Sequence, residues 1–131
     1  MALPGSMRAD IRQAENEILD RLLGLYEEER LVYHRILELS RNQGELLRQG
    51  APLGSVRRLL DQKKACLENI RRLELTETRS KQDWEKGKHH WSAAGKAKLH
   101  GALRRVGELI EDILQCEESN DMVLIGQARE F

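Results

Sequence analysis

Four histidines, two cysteines and two tryptophans are the residues of this sequence best equipped for chemistry, and their spacing decides which kind. A zinc site needs ligands about one helical turn apart or paired across a short loop, as in HExxH or CxxC. His34 lies in the first helix beside Tyr33, His89-His90 are adjacent in a loop, His100 opens the third helix, and no HExxH, CxxC or Glu-x-x-His pattern accompanies them. The pattern therefore predicts no metal. Cys66 and Cys116 lie fifty positions apart, each at an apolar position of a helical pattern, and read as reduced core thiols. A disulfide between packed helices is the alternative reading. No nucleophile elbow, Walker loop or dinucleotide glycine pattern occurs. The carboxylates stand a turn from Arg or Lys along helix faces, where a pair contributes only a few tenths of a kcal/mol. This inventory predicts neither catalysis nor a cofactor. One basic segment remains: Lys86, Lys88, Lys96 and Lys98 flank Trp91. It reads either as an RNA or acidic-protein contact or as a solvated loop whose tryptophan docks on the protein.

The elements that position these residues follow from composition and period. Of 131 residues, 40% are hydrophobic and 34% charged, enough for one narrow core beneath a heavily solvated surface. Only Pro4 and Pro52 interrupt the chain, and aromatic residues make up 4%, so strands are disfavoured and the class expected is all-α. Twenty-two basic residues balance twenty-two acidic ones, without the basic excess of a dedicated nucleic-acid binder, so a nucleic-acid or membrane-surface contact would rest on the basic loop alone. No run approaches the ~20 apolar residues of a membrane span, so no membrane insertion is expected and the cytoplasm is the expected compartment. Gly5-Ser6-Met7 resembles a cloning junction, and Glu130-Phe131 a vector scar. Residues 1–6 are accordingly set apart from a single helical domain over 7–131.

Three helices are expected. In the first, over about 8–48, Ile11, Ile18, Leu25, Val32, Leu39 and Leu46 repeat every seven residues, with Leu22 and Ile36 between them and Leu19, Tyr26, Tyr33 and Leu47 as a second series. Two adjacent stripes predict contact with more than one neighbour. Gly50-Ala51-Pro52-Leu53-Gly54-Ser55 ends this helix and turns the chain back, with Ser55 as N-cap of the next. The second helix, over about 55–86, places Val56, Leu59, Lys63, Cys66, Ile70 and Leu73 on one face with Leu60 and Leu67 beside them, and Arg57-Arg58, Lys63-Lys64 and Arg71-Arg72 recur along it. Its apolar pattern thins across Thr76–Ser80. Ser92 is a candidate N-cap for a third helix over about 93–125, punctuated by Gly101 and Gly107. The architecture expected is a long antiparallel hairpin with the third helix packed on it, an elongated three-helix bundle.

The run Leu22-Leu23-Gly24-Leu25-Tyr26-Glu27-Glu28-Glu29-Arg30, the turn Leu46-Leu47-Arg48-Gln49-Gly50, and the series Val56, Leu59-Leu60, Lys63-Lys64, Leu67, Ile70 and Leu73-Glu74 resemble the FlgN-like flagellar secretion chaperones. Trp84-Glu85 before a loop, and a last helix ending near Asn120 with a short apolar block, are also similar. Ala51-Pro52 departs from the acidic residue that often follows the turn glycine in that family. The resemblance implies a cytoplasmic type III export chaperone. Such a protein binds the C-terminal helical segments of the hook-associated proteins at the hook–filament junction, prevents their premature assembly and delivers them to the export gate. Helix-in-groove binding would draw on the third helix, with Leu103, Val106, Ile110, Ile113, Leu114, Val123 and Leu124 as candidate client contacts. The same stripes suit a scaffold protein that self-associates, including as a homodimer.

Overall fold

The computed structural model describes residues 5–129 of the chain, with side chains to Gln127. The proposed vector scar Glu130-Phe131, and residues 1–4 of the proposed cloning remnant, lie outside the described residues. The described chain is all-helical: α1 (Gly5–Arg48), α2 (Leu53–Thr76), α3 (Thr78–Lys86) and α4 (Ala93–Arg129). None of these helices is long and apolar enough to cross a membrane.

The turn after α1 is built by backbone chemistry. Gly50 takes φ +68°, the only positive φ among the described residues. Its N–H donates to Leu47 O at 3.1 Å, and Ala51 N–H reaches back to Leu46 O at 2.9 Å. This pair of bonds is the Schellman arrangement, which needs a residue free to enter the left-handed region. α2 then begins at Leu53, two residues before the expected start. Pro52, at φ −59° and ψ 145°, is its N-cap, and no side chain caps it. The Ser55 cap is thus corrected: proline's fixed φ lets the chain enter the helix directly behind it.

The expected second helix over 55–86 is two helices. Glu77, at φ −106° and ψ 19°, separates α2 from α3. The hydroxyl of Thr76 donates to Arg72 O at 2.9 Å and that of Thr78 to Leu75 O at 3.1 Å. Threonine hydroxyls that compete for helix carbonyls at successive turns bend the helix where the apolar pattern has already thinned. After α3, residues 87–92 fold around an indole pair. Trp91 stacks on Trp84 with ring centroids 5.3 Å apart, and its Nε1–H donates to Trp84 O at 2.7 Å. Ser92 caps α4, its hydroxyl accepting the N–H of Gly95 at 3.0 Å. α4 runs unbroken through Gly101 and Gly107, and neither glycine is approached by a neighbouring backbone.

α1 is the helix against which all the others pack. Lys63 meets Gln43 while Leu73 lies by Leu25, so α2 runs antiparallel to it. Glu15 meets Ser92, Ser40 meets Glu117 and Leu47 meets Gln127, so α4 runs parallel to it. No Cα of α2 comes within 8 Å of one of α4 among the described residues. One core cluster, Leu19, Leu22, Leu25 and Leu99, is flanked by Ile18, Leu23, Tyr26, Leu73 and Trp84. Cys66 and Cys116 are free, partly buried thiols. Burial first, and Glu117 second, push the Cys116 thiol up.

Candidate helix-docking face

The most buried line of α1 runs between the two expected stripes. Glu15, Leu22, Glu29, Ile36 and Gln43 recur every seven residues, and all five are buried. Three of the five are polar, and each is handled differently.

Glu15 caps another helix. Its carboxylate accepts the Ser92 N–H, the Ser92 hydroxyl at 3.1 Å and Arg12 Nη1 at 2.9 Å. Burial pushes the carboxyl up, but these bonds together outweigh burial and hold it below the usual range. Gln43 belongs to a junction of three helices. Lys63 of α2 donates to Gln43 Oε1 at 2.9 Å and to Glu117 of α4, which also accepts the Ser40 hydroxyl at 2.5 Å. Beside them Asn120 Nδ2 donates to Ser40 O at 2.9 Å. A Cβ at Gly44 would collide with the Asn120 amide oxygen, so a glycine is needed where α4 crosses.

Glu29 is the exception. It is 2% exposed, and its Oε1 has no hydrogen-bond partner among the described residues. Burial pushes its carboxyl up, and Lys81 offsets that only in part. Burial and the Glu29 charge also push the phenols of Tyr26 and Tyr33 up.

The candidate client residues fall on four lines of α4. Val106 is buried at 6%, and Ile113 is half-buried on the same line as Leu99 and Asn120, facing α1. Val123 is half-buried in line with Ala102 and Cys116, on one flank. Leu103, Ile110 and Leu124 share a seven-residue line with Glu117, whose contact with Lys63 turns that line toward α2. Leu103 and Leu124 are exposed and Ile110 is half-buried. Leu114 is exposed and lies on none of these three lines.

Leu60 and Leu67, which the sequence sets beside the core face of the second helix, are uncovered, and neither they nor Leu53 stand among the expected client contacts. Leu53, Leu60 and Leu67 of α2 also recur every seven residues and are 79%, 44% and 55% exposed. Leu60 and Leu67 bracket Lys63 at helical spacing, on the side away from Leu73, which packs beside Gly24 and Leu25 on the far flank of α1. Continuing their line leads to Glu74, which pairs with Lys81 where Lys81 lies 5.9 Å from the Tyr26 ring. Uncovered leucines thus stand on both α2 and α4, and the Lys63–Glu117 ion pair joins the two helices. The seven-residue repeat could have signalled the α2 row, and a lysine within an apolar stripe could have signalled the crossing.

His34 pairs with Glu38 at 3.3 Å on the exposed face of α1, and His100 is exposed on α4. Among the described residues no group of three or more His, Cys, Asp or Glu side chains could hold a metal ion. Comparison with known proteins found no family model, no curated protein and no solved structure that matches the chain.

Proposed function

We propose that this chain is a cytoplasmic export chaperone of the FlgN-like kind, a binding protein rather than an enzyme. It takes up the amphipathic C-terminal helices of hook-associated proteins, keeps those subunits from assembling early and hands them to the export gate. The observation that carries this reading is the set of uncovered leucines, Leu60 and Leu67 on α2 and Leu103 and Leu124 on α4, on helices whose backbones do not meet. An incoming helix laid between them adds what the hairpin-and-third-helix plan leaves open: apolar cover for these leucines. Of the seven candidate contacts, Leu103, Ile110 and Leu124 belong to this face. Val106 and Ile113 serve it indirectly, by seating α4 on α1. Leu114 and Val123 would contact a client only if it extended beyond this face.

The test is titration of a peptide spanning the terminal helix of a hook–filament junction subunit, followed by calorimetry and amide exchange. Saturable binding with new protection in α4 is expected. A Leu60→Glu/Leu103→Glu variant should lose about tenfold or more in affinity at an unchanged thermal midpoint. A second reading draws on the Leu53, Leu60 and Leu67 row alone: a scaffold that pairs with its own copies through α2. Light scattering separates the two. A dimer abolished by Leu60→Glu, with no peptide uptake, would establish the scaffold.

A further inference from the structure

The helix-docking reading makes no use of the His89-His90 pair or of the first turns of α1, and the fold brings these together. Arg8, Ile11 and Arg12 share one helix face, and with His89 and His90 they line a cavity of about 280 Å³. The site is held from both sides. On the loop side, the Trp84–Trp91 stack and the bond from His90 N–H to Gly87 O at 2.8 Å set the loop's path. A Cβ at Gly87 would collide with the Trp91 ring, so the loop closes this tightly only around a glycine. On the helix side, Glu15 holds Arg12 at 2.9 Å and leaves most of that guanidinium's five donors free.

The charge around the cavity is one-sided. None of the described residues lining it carries a carboxylate. Glu15 accepts from Ser92 and from Arg12 of the lining, and Glu85 pairs first with Lys88 at 2.6 Å and more weakly with the charge of His89. The lining is two guanidiniums, that of Arg12 offset in part by Glu15, two imidazoles that add charge when protonated, and the one apolar side chain of Ile11.

We propose that this cavity binds a phosphate group, either free or carried on an ester. A guanidinium presents paired N–H donors at the spacing of two phosphate oxygens, and protonated imidazoles donate to the remaining ones. The volume admits one tetrahedral oxyanion with a few waters. Ile11 offers a surface on which the carbon of an ester can lie. A nucleic-acid strand suits the site less well, because Trp91, the aromatic of the basic segment, is stacked on Trp84 rather than presented to a base.

The test is NMR of the histidine imidazoles and arginine Nε–H groups in the full chain, at ionic strength held constant with chloride. Inorganic phosphate and phosphoserine are titrated separately. Saturable shifts at His89, His90 and Arg12, with His34 and His100 silent, are expected. Comparable affinities identify the free ion as a sufficient ligand, and tighter phosphoserine binding identifies an ester-borne phosphate. Arg8→Gln/His90→Asn should weaken phosphate binding at least about tenfold. The thermal midpoint and tryptophan fluorescence of that variant should be unchanged. Shifts spread evenly over every histidine and lysine, or an affinity the variant leaves intact, would overturn the proposal.

Discussion

The two ends of α1 are held to the rest of the molecule by different chemistry. Around Leu19, Leu22 and Leu25 the contacts are apolar, with Leu99, Leu73 and Trp84 closing over them. Around Ser40, Gln43 and Gly44 a polar junction is set among buried Leu39 and Leu47, with Lys63, Glu117 and Asn120 meeting across three helices. The apolar end is general: burial of leucine stabilises whatever register brings the most area together. The polar end is particular, because its bonds form in one register only and an unmade bond there leaves a buried group without a partner. The difference teaches where stability and where alignment come from in a molecule built on one central helix. The uncovered leucines span both ends: Leu103 stands one turn past Leu99 of the apolar cluster, and Leu60 and Leu67 flank Lys63 of the polar junction.

Substitutions can break this comparison or sharpen it. The largest effect is expected at the apolar end. Leu25→Asp buries a charge among leucines and should cost about 4 kcal/mol or more, read as loss of the cooperative urea transition. At the polar end, Lys63→Met removes the cation between Gln43 and Glu117 and should cost about 2 kcal/mol. Adding Glu117→Gln to Lys63→Met should restore part of that loss in a double-mutant cycle, and strict additivity would refute the junction as a unit. Gly44→Ala must displace Asn120 and its bond to Ser40, at a cost of about 1–2 kcal/mol in chemical denaturation.

Between the two ends, Glu29→Gln should stabilise the protein by about 1 kcal/mol at neutral pH, because it removes a buried carboxylate with an unpartnered oxygen. The pH dependence gives the sign independently. The Glu29 carboxyl is raised in the folded state, so its contribution is most favourable below the ordinary carboxylate value and is lost as pH rises through the folded value. Glu15 is lowered, so its contribution is present above the ordinary value and is lost as pH falls through the folded one. Thermal midpoints of Glu15→Gln and Glu29→Gln between about pH 3 and pH 7 should therefore diverge from the parent in opposite senses. The smallest stability effect belongs to Leu124→Asp, within about 0.5 kcal/mol, since the side chain is already 39% exposed. Its effect should fall on peptide binding instead.

The helical class, the turn at Gly50, the cap at Ser92 and the apolar stripes of α1 were all legible in the sequence, because each depends on residues within a turn or two of one another. The break at Glu77 was half legible: the thinning pattern is visible, but the hydroxyl bonds that bend the chain are not. The candidate client residues could be named but not sorted. Leu103 and Val106 are three positions apart in one apolar pattern, yet one is exposed and the other buried.

That sorting belongs to tertiary structure. A period tells which residues share a face of one helix, but not which partner covers the face or at what height. Here the height is set by polar side chains that a pattern reading assigns to solvent. Glu15 finds Ser92 and Ser40 finds Glu117, both at a separation of 77 residues, and this common offset aligns α4 with α1 along its length. A buried glutamate is stabilised only when distant donors reach it, and sequence spacing carries no record of groups brought together by folding.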